Sequence, residues 1–477
     1  MRLRAGICVV LFGFSVREVS MKQNTDFTKG KILGPLLKFM IPVFFALFLQ
    51  AMYGAVDLMI VGRFGQAADV SAVSTGSQIM MTITHVVSSF AMGTTILLGR
   101  MIGQGDGKRS GSVVGASVFL FSAIALVLTV LTPLLAGKLA ATMNAPAEAF
   151  DLTVDYIRIC GFGSVAIIAY NLIGSIFRGI VDSKTPLVTV MIACGCNIAG
   201  DLLLVAGLGM GTAGAAWATV GAQAVSVAVS LVMIRRRKLP FALERRHIRF
   251  ERTIIRQVLL LGIPIALQDF LVSVSFLIIL AIVNNLGLIA SAGVGVAEKV
   301  CGFIMLIPSA FMQAMAAFVA QNMGACKYER AKKALYYAIA VSTAMAVVMF
   351  AVSFWRGDLL AGIFAEDAQV IAAGADYLKA YAIDCLLTCF LFCFIGFFNG
   401  VGYTAFVMAQ GILGAFCVRV PVSFLMSRVE PVSLFRIGLA TPCSTVLQIA
   451  LCLACFCRLN RKMKNQTLQI AGNGENR

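Results

Sequence analysis

LKFMIPVF at Leu37–Phe44 returns as LLLGIPIA at Leu259–Ala266, with Pro42 over Pro264, 222 residues further along. Each copy opens an apolar run of the kind that crosses a hydrocarbon core, for which roughly 20 residues suffice over about 30 Å. Working outward, Ile60-Val61 matches Ile282-Val283, Asp155-Tyr156 matches Asp376-Tyr377, and IFRGIV from Ile176 matches FFNGVG from Phe397. Order, spacing and proline position together argue for an internal duplication. Apolar runs fall near 36–61, 69–99, 112–135, 156–177, 186–206 and 213–234, and again near 257–283, 290–323, 334–355, 378–398, 405–427 and 436–457. The expected fold is therefore an all-α polytopic membrane protein of twelve transmembrane helices. Six spans separate the copies, an even number. The two six-helix lobes thus run in parallel, related by an axis along the membrane normal, around a central cavity.

Composition points the same way. Of 477 residues 60% are apolar and 13% charged, against about 45–50% and about 25% in soluble domains. A soluble enzyme and a disordered chain are both excluded. The long unbroken runs exclude a β-barrel, whose strands alternate. The net charge of +17 is concentrated: residues 1–38, 235–256 and 458–477 carry +5, +7 and +4 of it. With span ends counted in their flanks and both termini inside, inner segments hold 30 Lys and Arg, outer segments 7, and spans 2. That asymmetry is membrane orientation, so the expected location is the cell membrane of a bacterium, multi-pass, with cytoplasmic termini. Aromatic interleaving and nucleic-acid motifs are missing, so no nucleic-acid partner is expected. Membrane lipids are expected partners, above all for the basic linker.

The expected organisation is a leader over 1–30, an N-lobe over 31–234, a basic linker over 235–256, a C-lobe over 257–457 and a basic tail over 458–477. Met1–Phe14 loosely resembles a signal peptide but lacks a small-residue cleavage site, and Met21 opens a more ordinary leader. Residues 1–20 are accordingly read as a start-site artefact. The 14 cysteines lie mostly in apolar runs, where Cys behaves as a small hydrophobe. Cys385, Cys389 and Cys393 form a helical stripe read as packing, and Cys452, Cys455 and Cys457 lack a histidine for zinc.

The segments YGAVDLMIVGRFG (53–65), GRMIGQGDGKRS (99–110), FRGIVDSKTP (177–186), NIAGDLLLV (197–205) and GTAGAAWATVGAQ (211–223) together resemble the multidrug and toxic compound extrusion (MATE) family. The likeness covers Thr28–Leu459. It is nearest the DinF-like bacterial branch, because the seventh helix reads GIPIALQDFLVSVSF (262–276) without the glutamate of the NorM branch. The resemblance implies export of cationic or amphipathic organic compounds against inward movement of protons or sodium, with no cofactor. It also implies an N-lobe cation site at Asp57, Asn197, Asp201 and Thr219, and cavity-lining positions at Gln50, Tyr53 and Asn171.

Independently of family, a carboxylate at a helix centre costs about 2.5–3.5 kcal/mol on insertion scales, so Asp57 and Asp201 demand a reason. Span counting puts Asp57, Asp201 and Thr219 each roughly 7–8 Å below the outer boundary. Asn197 lies one turn from Asp201 on the same face. These oxygens could hold a small cation, or a proton shared between neighbouring acids. Ordinary interhelical hydrogen bonding is the alternative. The duplication supplies a control: Ile279, Val418 and Val422 stand where the first half has Asp57, Asn197 and Asp201. Ion coupling is therefore expected in one lobe. Pro42 permits a helix kink, mobile or static. Gln50, Tyr53 and Asp57 share one helical face, where an aromatic ring beside carboxylates attracts a lipophilic cation.

The second half keeps its own expected buried charges, Asp269, Glu298, Lys299, Asp384 and Arg419, and Arg419 is expected to pair with one of the acids. His85 reads as a hydrogen-bonded helix residue. GMGTAG at Gly209–Gly214 satisfies the dinucleotide fingerprint but follows a membrane helix, and so reads as a turn. GQGD at Gly103–Asp106 matches an intramembrane protease signature, yet Lys108 and Arg109 place it in a loop. No metal is expected beyond sodium. The expectation is a monomeric secondary-active exporter, not an enzyme. The rivals are a lipid-linked saccharide flippase of the same superfamily, which would favour basic residues in its cavity, and an intramembrane enzyme.

Overall fold

The computed structural model describes residues 26–236, 239–241, 244 and 247–474, with side chains to 463. The start-site expectation for 1–20 lies outside these residues. No strand occurs among them. Helices are the only open-ended element that satisfies every backbone group internally in lipid. Two compact units divide the chain, Met1–Val258 and Leu259–Arg477.

The first unit runs α1 (Leu33–Phe64), α2 (Ala67–Gly103), α3 (Gly107–Thr142), α4 (Ala147–Phe162), α5 (Ser164–Gly179), α6 (Lys184–Asp201) and α7 (Gly211–Arg236). A π-helical stretch, Leu202–Gly207, follows α6 directly. The second unit contains most of α8 (Arg252–Asn284), then α9 (Leu288–Ile304), α10 (Leu306–Gly324), α11 (Tyr328–Trp355), α12 (Gly357–Gly362) and α13 (Ala368–Val401). It closes with α14 (Thr404–Ile412), a second π stretch (Leu413–Arg419), α15 (Val420–Met426), α16 (Leu434–Gly438) and α17 (Ala440–Gly474).

Among the described residues eleven helical segments are long and apolar enough to span a bilayer, and α4 with α5 makes a twelfth crossing bent by 54°. The twelve-helix expectation is met. Helix ends differ from the apolar runs in an instructive way. The helix of the run read as 156–177 begins at Ala147, because the polar turns holding Glu148, Asp151 and Asp155 are helical as well. Similarly, α13 starts at Ala368, ten residues before its apolar run, where Asp367 caps Gln369 N at 2.7 Å. Capping by a side-chain oxygen satisfies amides that have no partner within the helix.

Pro42 is buried inside α1, which runs as one 32-residue helix. Between α4 and α5 the chain bends by 54° at Gly163, where an added Cβ would come 2.4 Å from Val220 Cγ2. Phe27, at the end of the leader, is fully buried and packs edge-on against Phe39 of α1 at 5.5 Å. In the linker, Phe250 meets Phe119 of α3 edge-on at 5.9 Å. Cys385 and Cys389 sit in the apolar core of the second unit with Ile279, Val283, Val294 and Tyr377. Cys393 lies 3.3 Å from Ser342 Oγ. The stripe is packing, as the spacing predicts.

Candidate functional site

The first unit brings α1, α6 and α7 together around a polar centre. Asp57 projects from α1 and Asp201 is the last residue of α6, 4% and 0% exposed. Their carboxyl groups lie within side-chain hydrogen-bonding reach of each other. Among the described residues no donor reaches Asp57 Oδ1 or either oxygen of Asp201. Two carboxylates are both acceptors, so a bond between them needs a proton or cation. One turn back on α6, Asn197 is 1% exposed, and both its amide oxygen and nitrogen lack partners. Unmade hydrogen bonds on buried polar groups cost about 1–3 kcal/mol each. Asp57, Asn197 and Asp201 bring several such atoms together between α1 and α6.

Thr219 on α7 has a buried, unpartnered Oγ1 and lies beside the Tyr156 ring of α4, which in turn neighbours Asp57 and Cys160. Thr219 thus joins the centre through Tyr156. Space for that ring comes from Gly76 of α2, where a Cβ would stand 2.6 Å from Tyr156 Cδ1. Tyr53, one turn from Asp57 on α1, lies beside Gln223 of α7. Sequence reasoning missed Tyr156 and Gln223. Gln223 was accessible, since it sits four residues past Thr219 on the same face. Tyr156 gave no such signal.

Among the cavity candidates, Gln50 Nε2 donates to Tyr170 OH at 2.9 Å. Asn171 is buried and donates to its own helix at Ile167 O, 2.8 Å. The cross-helix contact near Asn171 therefore belongs to Tyr170. His85 is exposed on α2.

In the second unit Asp384 is buried and accepts from Thr445 Oγ1 at 2.6 Å and Thr388 Oγ1 at 2.9 Å. Arg419 ends the second π stretch, donates to Ser275 Oγ at 3.1 Å and places Cζ 4.4 Å from the Phe276 ring centroid. The expected ion pair of Arg419 is corrected: among the described residues no carboxylate comes within ion-pair distance of it. A ring face and a hydroxyl replace the acid, and cation–π attraction strengthens when desolvated. Glu298 is half-buried with Oε1 unpartnered, Lys299 is exposed, and Asp269 is half-buried on α8. Ile279, the counterpart of Asp57, is 1% exposed within an apolar cluster.

The turn expected of GMGTAG holds only at Gly209 and Met210, since Gly211–Gly214 already form the first turn of α7; Gly209 and Gly211 adopt φ +66° and +52°. GQGD links α2 to α3, and Asp106 caps α3 by accepting from Arg109 N at 2.9 Å.

A family model described as MatE matches the chain twice, over residues 42–203 and 264–425. The two matches start 222 residues apart, the offset of the internal repeat. The chain is 25% identical over 440 residues to a probable multidrug resistance protein, YoeA, of Bacillus subtilis, covering 89% of this chain and 93% of that one. It is 22% identical to the multidrug export protein MepA of Staphylococcus haemolyticus, over 84% of this chain and 88% of that one. A crystal structure of MATE in complex with MaL6 superimposes with TM-score 0.86 at 19% identity, covering 93% of this chain and all of the other.

Proposed function

We propose that this chain, which belongs to the multidrug and toxic compound extrusion (MATE) family, exports cationic or amphipathic organic compounds across a bacterial cell membrane by antiport with protons or sodium. The relatives named as multidrug resistance and export proteins support the substrate class. The observation that carries the coupling is the facing of Asp57 and Asp201 with no protein donor on three of their four oxygens.

Both acids ionised repel across a low-dielectric gap; one proton turns the pair into donor and acceptor and draws α1 toward α6. The unpartnered Asn197 and Thr219 oxygens supply the further ligands a sodium ion would need. A cation therefore favours the conformation in which these helices close on it. An organic cation near Tyr53 and Gln50 favours another, because it meets the same carboxylates while they are ionised. Opposed preferences of two ligands for two states yield exchange. Protons are the first candidate, since one suffices and the described residues of the second unit offer no comparable acid pair. Both termini face the cytoplasm on the charge asymmetry, and the exporter works as a monomer in contact with membrane lipid, with no organic cofactor.

Efflux of an organic cation from proteoliposomes, with a pH gradient and a sodium gradient imposed separately, tests the reading. One gradient alone is expected to drive transport, and Asp57→Asn to remove that drive while the protein still inserts. Wild-type ion-driven rates in Asp57→Asn would sink it.

A further inference from the structure

Asp69, at the start of α2, takes no part in the site described, yet its carboxylate closes two helix ends at once. Oδ2 accepts from Gln66 N at 2.9 Å, completing a capping box on α2. Oδ1 accepts from both Thr212 N at 2.9 Å and Thr212 Oγ1 at 2.7 Å, at the start of α7, 143 residues away. Hydrogen bonds to a carboxylate are roughly twice as strong as neutral ones. The approach is close enough to dictate sequence: a Cβ on Gly211 would stand 2.5 Å from Asp69 Oδ1, and Gly211 already has φ +52°.

What the clamp holds leads to the ion site on both sides. Downstream, Thr212 and Thr219 are seven residues apart on one face of α7, so displacing the first carries the second with it. Upstream, the chain between Asp201 and Thr212 is the π stretch Leu202–Gly207 and a turn in which Leu208 N returns to Leu203 O and Met210 N to Leu204 O, both at 2.9 Å. A π turn is rare and frequently marks functional positions. Its register, and with it the direction of Asp201, gains an external anchor at Thr212.

The second unit shows the same device built differently. Ser433, the repeat counterpart of Thr212, begins α16, and Asp376 of α13 accepts there from Phe435 N at 3.0 Å and Ser433 Oγ at 3.4 Å. That carboxylate comes from the fourth crossing rather than the second, in the unit without facing buried acids.

We propose that Asp69 is a positioning residue for the Asp57–Asp201 ion site, setting the register of α7 and of the π stretch through Thr212, while Asp376 is its scaffold-only counterpart. This rests on the coupling role given to Asp57 and Asp201 above. The test measures ethidium transport in proteoliposomes against graded pH or sodium gradients, with thermal stability recorded for every variant. Asp57→Asn is expected to abolish ion-driven transport. Asp69→Asn is expected to raise the half-saturating driving-ion concentration roughly tenfold, about one pH unit if the ion is a proton, the scale on which outer-shell partners act. Thr212→Val, which keeps the amide but not the hydroxyl, shifts it less in the same direction, and Thr212→Ser restores wild-type behaviour. Asp376→Asn lowers the melting temperature and leaves the half-saturation in place. Should Asp69→Asn fail to fold, Thr212→Val decides. Wild-type half-saturation in every folded clamp variant, with Asp57→Asn inactive, overturns the proposal. An equal shift in Asp376→Asn overturns it too. Ion-driven transport surviving in Asp57→Asn removes the ion-site reading first, and this inference with it.

Discussion

In the first unit Asp57 and Asp201 face each other with no protein donor on three of their four oxygens, whereas in the second unit Asp384 is closed off by two threonine hydroxyls and Arg419 rests on a serine and a phenylalanine ring. Two halves of one duplicated chain thus treat their buried aspartates in opposite ways, although Glu298 Oε1 and Arg419 Nε of the second unit also lack partners. A satisfied carboxylate stays as folding left it, since its lone pairs are already engaged. An unsatisfied pair gains free energy from any proton or cation that arrives, and that gain is what moves a conformational equilibrium. The Asp57 counterpart, Ile279, has become part of a dry core. Duplication supplied two frames, and one was left open.

The comparison breaks most decisively at the acids themselves. Asp201→Asn is expected to reduce ion-driven efflux to the level of empty vesicles, as Asp57→Asn does, while Asp384→Asn retains ion dependence; equal loss from all three would erase the distinction between units. Grafting a carboxylate into the closed half comes next. Ile279→Asp places an unpartnered acid in an apolar core, expected to cost about 2.5–3.5 kcal/mol, seen as a fall in melting temperature in detergent without a second ion-binding event. A stable Ile279→Asp protein with doubled ion stoichiometry would show that the second half needs only an acid to couple. Asp384→Ala strands the hydroxyl of Thr388, while that of Thr445 keeps Thr441 O at 3.1 Å, and is expected to cost about 1–3 kcal/mol in a denaturant or thermal melt. The smallest effect is sought at Tyr156→Phe, which keeps the ring seated against Gly76 and removes the hydroxyl beside Thr219. Transport is expected to persist with a half-saturating ion concentration raised about two- to fivefold, or about 0.5–1 kcal/mol at about 1.4 kcal/mol per tenfold.

Much of this site was legible along the chain because its parts obey helical spacing. Asp57 and Asp201 stand out as acids in apolar runs, and Asn197 follows from the four-residue step. Thr219 was singled out by counting residues from span ends. What spacing cannot carry is contact between helices distant in sequence. Tyr156 reaches Thr219 because Gly76 leaves room, and Asp69 caps Thr212 across 143 residues; neither leaves a periodic trace. The partner of Arg419 was misjudged for a related reason. An argument from charge alone selects an acid, but the ring of Phe276 and the hydroxyl of Ser275 already hold the guanidinium, and Asp384 has partners of its own.

Sequence alone determined that the chain spans a membrane as helices, that it is duplicated, and which residues are costly where they stand. Those properties depend on hydropathy and residue interval, which are local and additive. Tertiary structure alone decided that Asp57 and Asp201 meet without a donor, that α4 and α5 bend at Gly163, and that α6 passes into a π turn after Asp201. Each of these depends on which surfaces of remote helices fit together, a matter of shape and of which polar atoms remain unmatched once the helices have packed.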